Sequence, residues 1–133
     1  MERKNITNKE LYALAREARE RSYCPYSGYS VGAALLCADG KIYLGANIEN
    51  ASFSPTVCAE RVAFFNAIND GHRDFISIAV AGGKKGEAPM ENFPPCGVCR
   101  QVMREFCKDD FVIVINEDSA MTLSELLPSG FTL

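Results

Sequence analysis

The chain has 133 residues, a length that fits one domain spanning 1–133 and leaves little room for a second. Its apolar share of 47% is ordinary for a folded protein, which excludes a mostly disordered chain. Fourteen basic and 17 acidic residues give a net charge of -3 without a basic stripe, so we expect no nucleic-acid partner.

The first part of the chain predicts a helix followed by a β-hairpin. Thr7 and Glu10 form an S/T-x-x-E capping box, so we expect a helix to begin directly after Thr7. Residues 31–38 form an apolar run that is too continuous for a strand with one wet face, which predicts a strand covered on both sides. An Asp-Gly pair follows as a hairpin signal, and residues 41–46 would return antiparallel.

The rest of the chain alternates helices with strands. Residues 58–69 suit a helix that is apolar on most sides and therefore largely buried. Next come a strand at 75–81, a loop at 82–95, a helix from Val98 to Phe106, a strand at 111–115, and a short helix capped by Thr122 and Glu125 and ended by Pro128. The two helix-to-strand crossovers indicate parallel pairing. The order α-β-β-α-β-α-β-α thus predicts an α/β fold, a three-layer α-β-α sandwich around a mixed, mainly parallel sheet.

The six cysteines are Cys24, Cys37, Cys58, Cys96, Cys99 and Cys107. The chain opens Met-Glu-Arg-Lys-Asn without the apolar stretch of a signal peptide, and no apolar run approaches membrane-spanning length. We therefore expect a cytoplasmic protein with reduced thiols and no membrane partner. In that setting clustered cysteines are better interpreted as metal ligands or reactive groups than as disulfides.

The spacing of the cysteines singles out three of them. Cys96 and Cys99 lie at i and i+3 where a helix should begin, a spacing that suits chelation of one ion, although redox pairs share it. Cys58 begins the other central helix, and crossover helices that start from the same end of a sheet bring their N-termini together. Three protein ligands leave a fourth tetrahedral position open, which is the arrangement of catalytic zinc.

The rival is a closed structural site with a fourth thiol. Cys107 lies eight residues past Cys99, roughly 12 Å away along a helix, and so cannot share the ion. Cys37 lies in the middle of an expected core strand, where free cysteine behaves as a small hydrophobe. His72 follows the wrong end of a helix. Cys24, in a turn, is left open as a fourth ligand.

Two charged residues next to Cys58 fit the chemistry of an open site. Beside a zinc-bound water, Glu60 becomes a general acid/base, although a first-turn acid more commonly only stabilises the helix dipole. Three thiolates and a hydroxide give the zinc centre a net negative charge, which disfavours ionisation of the water. Arg61 would offset that charge by donating to a thiolate sulfur.

In combination these motifs resemble the small homotetrameric cytidine deaminases. The resembling segments are PYS at 25–27, VGAA at 31–34, GANIENA at 45–51, CAER at 58–61, PCGVCRQ at 95–101 and LLP at 126–128. The likeness spans essentially the whole chain in the family's order. It implies a cytidine deaminase-like fold, a homotetramer and a small-molecule nucleoside substrate.

The resemblance also implies the reaction. Cys58, Cys96 and Cys99 would hold one Zn²⁺ per subunit, and zinc-bound hydroxide would attack C4 of cytosine while Glu60 shuttles protons. Cytidine and deoxycytidine would become uridine and deoxyuridine with release of ammonia, as a step of pyrimidine salvage.

The substrate contacts follow from the same resemblance. Asn47 and Glu49 match the family's ribose-binding pair, and their i, i+2 spacing points both side chains one way if the strand stays extended. Tyr29 matches an aromatic that lines the nucleoside pocket, and Ala59 would offer its backbone to the pyrimidine. Phe131 matches an aromatic that reaches over the base in a neighbouring subunit.

The residues leave three other functions open. The substrate could be a modified cytosine nucleoside, which the match at the ribose-binding pair disfavours. A noncatalytic zinc-stabilised binding module would need four protein ligands. A base editor of polynucleotides is disfavoured by the acidic balance and by Cys58, since related editors tend to use His there.

Overall fold

The computed structural model describes residues 5–133, which build one five-stranded sheet with helices on both faces. In chain order the elements are α1 (Asn8–Ala18), a 3-10 turn (Arg19–Arg21), β1 (Tyr29–Cys37), β2 (Ile42–Ala46), α2 (Ala59–Asn69), β3 (Phe75–Lys84), α3 (Gly97–Phe106), β4 (Val112–Val114), β5 (Ala120–Thr122) and α4 (Leu123–Leu126). Within residues 5–133, no helix has both the length and the apolar character needed to cross a membrane.

The central strand β1 separates two buried clusters. Side chains alternate across a strand, so Ala34 faces α1 and shares a cluster with Leu11, whereas Leu35 faces α2 and shares a cluster with Phe64. β1 is buried at every position after Tyr29. The continuous apolar run therefore does reflect a strand covered on both faces, and the three-layer α-β-α arrangement is confirmed.

The strand order is β2-β1-β3-β4-β5, and this corrects the predicted pairing. Only β3 and β4 pair in parallel; β1 pairs antiparallel with both β2 and β3, and β4 pairs antiparallel with β5. The sheet is mixed as predicted, but it is not mainly parallel. The reason is that β1 lies between β2 and β3, so the α2 crossover joins two strands that run the same way without being neighbours.

Because β2, β3 and β4 share one direction, α2 and α3 still begin at the same edge of the sheet. The two helices also pack in one cluster on the same face, and the metal site requires both features. The error in pairing therefore leaves the convergence of the two helix starts intact.

Three details of the predicted elements also need correction: a missing strand, the end of β3 and the burial of α2. β5 is absent from the predicted order, which has four strands. β3 runs to Lys84, three residues into the predicted loop, because Gly82 and Gly83 pair with β1. In α2, Phe65 is 45% exposed, so the predicted burial on most sides does not hold within this chain. Both predicted capping boxes are present, and the helices begin where they indicate.

Candidate active site

Three thiols meet where α2 and α3 begin. Cys58 and Cys96 are the N-cap residues of these helices, and Cys99 lies in the first turn of α3. The Sγ atoms of Cys58 and Cys96 are 3.8 Å apart, those of Cys96 and Cys99 are 3.5 Å apart, and all three lie within 4.8 Å of one another. A tetrahedral zinc with Zn–S bonds near 2.3 Å separates its sulfur ligands by about 3.8 Å. The three thiols therefore fit one zinc ion.

Close packing fixes the two helix starts. α2 lies so near β2 that a Cβ atom on Gly45 would stand 2.4 Å from the carbonyl oxygen of Ala59. On the other side, the Arg100 guanidinium donates to the carbonyl of Pro95 at 2.8 Å and to that of Leu126 at 2.7 Å. These bonds tie the residue before Cys96 to α4. The start of α2 is therefore held by close backbone packing, and the start of α3 by the Arg100 side chain.

The charge on Cys58 is stabilised by three hydrogen-bond partners: the Cys99 thiol, the Arg61 guanidinium and the Cys96 thiol. A hydrogen bond from the Cys99 thiol is the main cause that lowers the pKa of Cys58 to about 5, and the same bond raises the pKa of Cys99. Arg61 adds to this, because its Nη2 lies 3.5 Å from the Cys58 sulfur. The Arg61 guanidinium therefore lies within hydrogen-bond reach of the Cys58 sulfur.

Glu60 is buried beside the thiols. It lies in the first turn of α2 and only 3% of its surface is exposed. Burial raises the pKa of its carboxyl to about 7. A carboxyl that titrates near neutral pH is suited both to accept and to donate a proton.

A cavity of about 360 Å³ joins Glu60 to the predicted sugar-binding residues, within the range of small-molecule sites. Its lining includes four predicted site residues besides Glu60, Cys58 and Cys96: Tyr29, Asn47, Glu49 and Ala59. Sequence reasoning missed Ser27, Val31, Phe53, Thr56, Val57, Phe93 and Pro94, which also line it. Each of them lies within a few residues of a predicted site residue along the chain, and this proximity is the signal that could have found them.

The predicted ribose pair is held by bonds to its own chain. Asn47 accepts a hydrogen bond from the Val31 amide and donates to the Tyr29 carbonyl, each at 2.9 Å. Glu49 accepts from the Ser27 amide and hydroxyl, and the hydroxyl is the main cause that lowers the pKa of Glu49. Both side chains therefore reach the cavity in fixed orientations.

Other predicted residues lie outside this site. Phe131 is 63% exposed and does not line the cavity of its own chain; its carbonyl accepts a hydrogen bond from Gln101 on α3. Cys24 and Cys107 stand apart from the group of three thiols, which removes the fourth ligand that the sequence left open. His72 pairs with Asp39 at 3.0 Å, as part of a separate cluster.

Comparison with known proteins places this geometry in a family. The family model for the cytidine and deoxycytidylate deaminase zinc-binding region matches residues 5–115. The chain is 48% identical over 122 residues to the cytidine deaminase of Halalkalibacterium halodurans, covering 89% of each chain. It is 44% identical over 128 residues to that of Sporosarcina psychrophila, covering 93% of this chain and 90% of the relative.

Solved structures agree with the sequence relatives. The crystal structure of cytidine deaminase from Burkholderia pseudomallei superposes with a TM-score of 0.84 at 41% identity, covering 95% of this chain and all of that chain. The chain therefore belongs to the family of zinc-dependent cytidine and deoxycytidylate deaminases.

Proposed function

We propose that this protein catalyses the hydrolytic deamination of cytidine and deoxycytidine to uridine and deoxyuridine, with release of ammonia. The observation that carries the proposal is the position of Glu60, which is buried at the thiols and faces the cavity. A zinc site that only stabilised the fold would gain nothing from a buried carboxyl, because burying an ionisable group without need costs stability.

Glu60 performs the proton transfers. When bound, zinc supplies the Lewis acid that activates the attacking water for addition at C4 of the pyrimidine. Glu60 takes one proton from that water and delivers it to N3. It then passes the second proton to the exocyclic amine, the C4–N bond breaks, ammonia leaves, and C4 keeps the oxygen as a carbonyl.

The cavity orients the nucleoside so that C4 meets Glu60. One N–H of Asn47 serves the Tyr29 carbonyl, and the other donates to a ribose hydroxyl. Glu49, kept ionised by its bonds to Ser27, accepts from the sugar. The Tyr29 ring lines the base, and the backbone of Ala59 hydrogen-bonds the pyrimidine edge.

Arg61 adjusts the charge of the zinc site. Its hydrogen bond to Cys58 reduces the negative charge that this thiolate would donate to the zinc. This matters because three thiolate ligands would otherwise make a zinc-bound water harder to ionise. The N-termini of α2 and α3 act in the same direction, because both helix dipoles point their positive ends at the thiols.

The protein acts on free nucleosides in pyrimidine salvage, as a homotetramer in the cytoplasm. Thiols that hold zinc must stay reduced, which fits that compartment. Large apolar side chains are exposed in several parts of the chain, as expected of surfaces that meet other subunits: Phe53, Phe65, Val98 and Phe131. Phe131 extends into the cavity of a neighbouring subunit.

The oligomeric state can be tested directly. Light scattering that found a stable monomer, together with full activity of that monomer, would contradict both the tetramer and the role of Phe131.

The substitution Glu60→Gln tests the reaction. It keeps the size of the side chain and leaves all three thiols in place, so bound zinc should stay at one ion per chain by elemental analysis. Turnover of cytidine, followed by its loss of ultraviolet absorbance, should fall by about 10²- to 10⁴-fold.

The matched control is Glu105→Gln, on the exposed face of α3, which should turn over like the unaltered protein. Near-normal turnover in zinc-loaded Glu60→Gln would contradict the mechanism. Failure of the unaltered, zinc-loaded protein to release ammonia from cytidine would contradict the function itself.

A further inference from the structure

We propose that Phe93 is a specificity-determining residue, whose ring limits the size of the substituent on C5 of the pyrimidine and is held in place by Gly82. The proposal rests on the proposed deamination of cytidine and extends it to the choice among cytosine nucleosides. Phe93 lines the same cavity as Glu60 and belongs to the loop that leads from β3 to Cys96.

The Phe93 ring occupies the space that a side chain at position 82 would fill. A Cβ atom on Gly82 would lie 2.7 Å from Cδ1 and from Cε1 of Phe93, closer than real contacts of this kind. Gly82 therefore lets the ring rest directly on the backbone of β3. With strand backbone behind it and the cavity before it, the ring has no room to retreat from a bulky ligand.

The loop that carries Phe93 is fixed at two further points. Arg19 is 8% exposed, and its guanidinium donates to the carbonyls of Lys84 at 3.1 Å and Glu87 at 3.0 Å. Closer to Phe93, the Asn116 amide donates to the carbonyl of Glu91 at 3.0 Å. A loop pinned at its start and just before the ring presents that ring as a rigid wall.

The chemistry of the base assigns the wall to its C5 edge. Phe93 is three residues from Cys96, so it lies at the end of the cavity where C4 reacts. On one side of C4 stands N3, whose lone pair needs a proton and so faces Glu60. On the other side stands C5, which carries only hydrogen and matches the apolar wall that Phe93 and Pro94 form.

The test compares cytidine with 5-methylcytidine. Phe93→Ala should raise the ratio of kcat/KM for 5-methylcytidine to that for cytidine by about tenfold or more, because one methyl group in a closed apolar pocket discriminates by at least that factor. Gly82→Ala should change the ratio in the opposite direction, since the new methyl pushes the ring into the cavity. Met90→Ala alters the same loop away from this cavity and should leave the ratio unchanged.

A second readout does not depend on turnover. The dissociation constants of the products uridine and 5-methyluridine, measured by calorimetry, should shift in the same order across the variants. Phe93→Leu serves as a milder substitution if Phe93→Ala fails to fold, and each variant is first checked for zinc content and melting temperature.

A ratio within about twofold of the unaltered protein in folded Phe93→Ala or Phe93→Leu would overturn the proposal. A shift of the same sign in Gly82→Ala would overturn the role of Gly82. If the unaltered protein turns over neither nucleoside, both the proposed function and this inference are wrong. If the variants turn over cytidine normally and the ratio does not change, only the proposed role of Phe93 is wrong.

Discussion

A methyl group added at Gly45 should loosen the zinc site. The Cβ atom of an alanine there would lie 2.4 Å from the carbonyl oxygen of Ala59 and 2.6 Å from the amide nitrogen of Ala63. Both neighbours are backbone atoms of α2, so no side chain can rotate away. The helix must instead retreat from the sheet by about 1 Å to restore an ordinary contact.

This displacement sets the size of two expected effects, a loss of folding stability and a loss of zinc affinity. Overpacking of this kind costs about 1–3 kcal/mol, and a clash with backbone belongs at the upper end, which lowers the melting temperature by about 10 °C in a chain of this length. The retreat also carries the Cys58 sulfur away from Cys96 and Cys99. Metal–ligand distances tolerate only about 0.2 Å, so zinc affinity should fall about tenfold or more.

Gly32→Ala provides the matched comparison. Gly32 is on β1, where it pairs with Ala46, and its Cβ would lie 2.0 Å from the carbonyl of Ala15 on α1. The stability cost should be at least as large, but α1 is on the opposite face of the sheet and carries none of the three thiols. Calorimetry would record the melting temperatures, and transfer of zinc to a coloured chelator would record its release.

The two variants separate local from general effects. Faster release from Gly45→Ala alone would support the link between the Gly45 contact and the thiol geometry. Equal acceleration in both variants would refute the reasoning, because zinc loss would then report overall stability. So would release at the normal rate from Gly45→Ala with a lowered melting temperature.

Three further substitutions test separate parts of the site and fold. Arg61→Gln removes the donor to Cys58 and should weaken zinc binding by about 10- to 100-fold in chelator competition, whereas Arg73→Gln, past the far end of α2, should not. Asn47→Ala leaves a buried β1 amide unpaired and should cost about 1–3 kcal/mol in urea unfolding, with a raised KM for cytidine. Thr122→Ala removes a capping box and should cost about 1 kcal/mol with zinc content unchanged.

Signals carried by adjacent residues predicted the elements well. The two capping boxes mark where α1 and α4 begin, and the unbroken apolar run of β1 reflects its burial on both faces. Strand order depends instead on contacts between segments far apart in the chain. Nothing local distinguishes a β1 that lies between β2 and β3 from one at the edge, and a three-residue strand such as β5 is too short to show alternation.

The metal site was predictable because it needs little of that global information. The starts of two helices lie at the same edge of a sheet when the strands before them run the same way, and β2 and β3 do so although β1 separates them. Here α2 and α3 also pack in one cluster on the same face of the sheet, so the two starts meet. Predicting the walls of the cavity requires more information about contacts between segments that are far apart in the chain. Gly82 and Gly83 are typical of a loop by composition, yet they continue β3, and only the bare backbone of Gly82 admits the ring of Phe93. The position of the Phe93 ring depends on the absence of a side chain at Gly82, which precedes it in the chain. The sequence around Phe93 alone does not reveal this contact. The three metal-binding cysteines were therefore predictable from their spacing in the sequence. The proposed role of Phe93 required the three-dimensional structure, because it depends on the contact with Gly82.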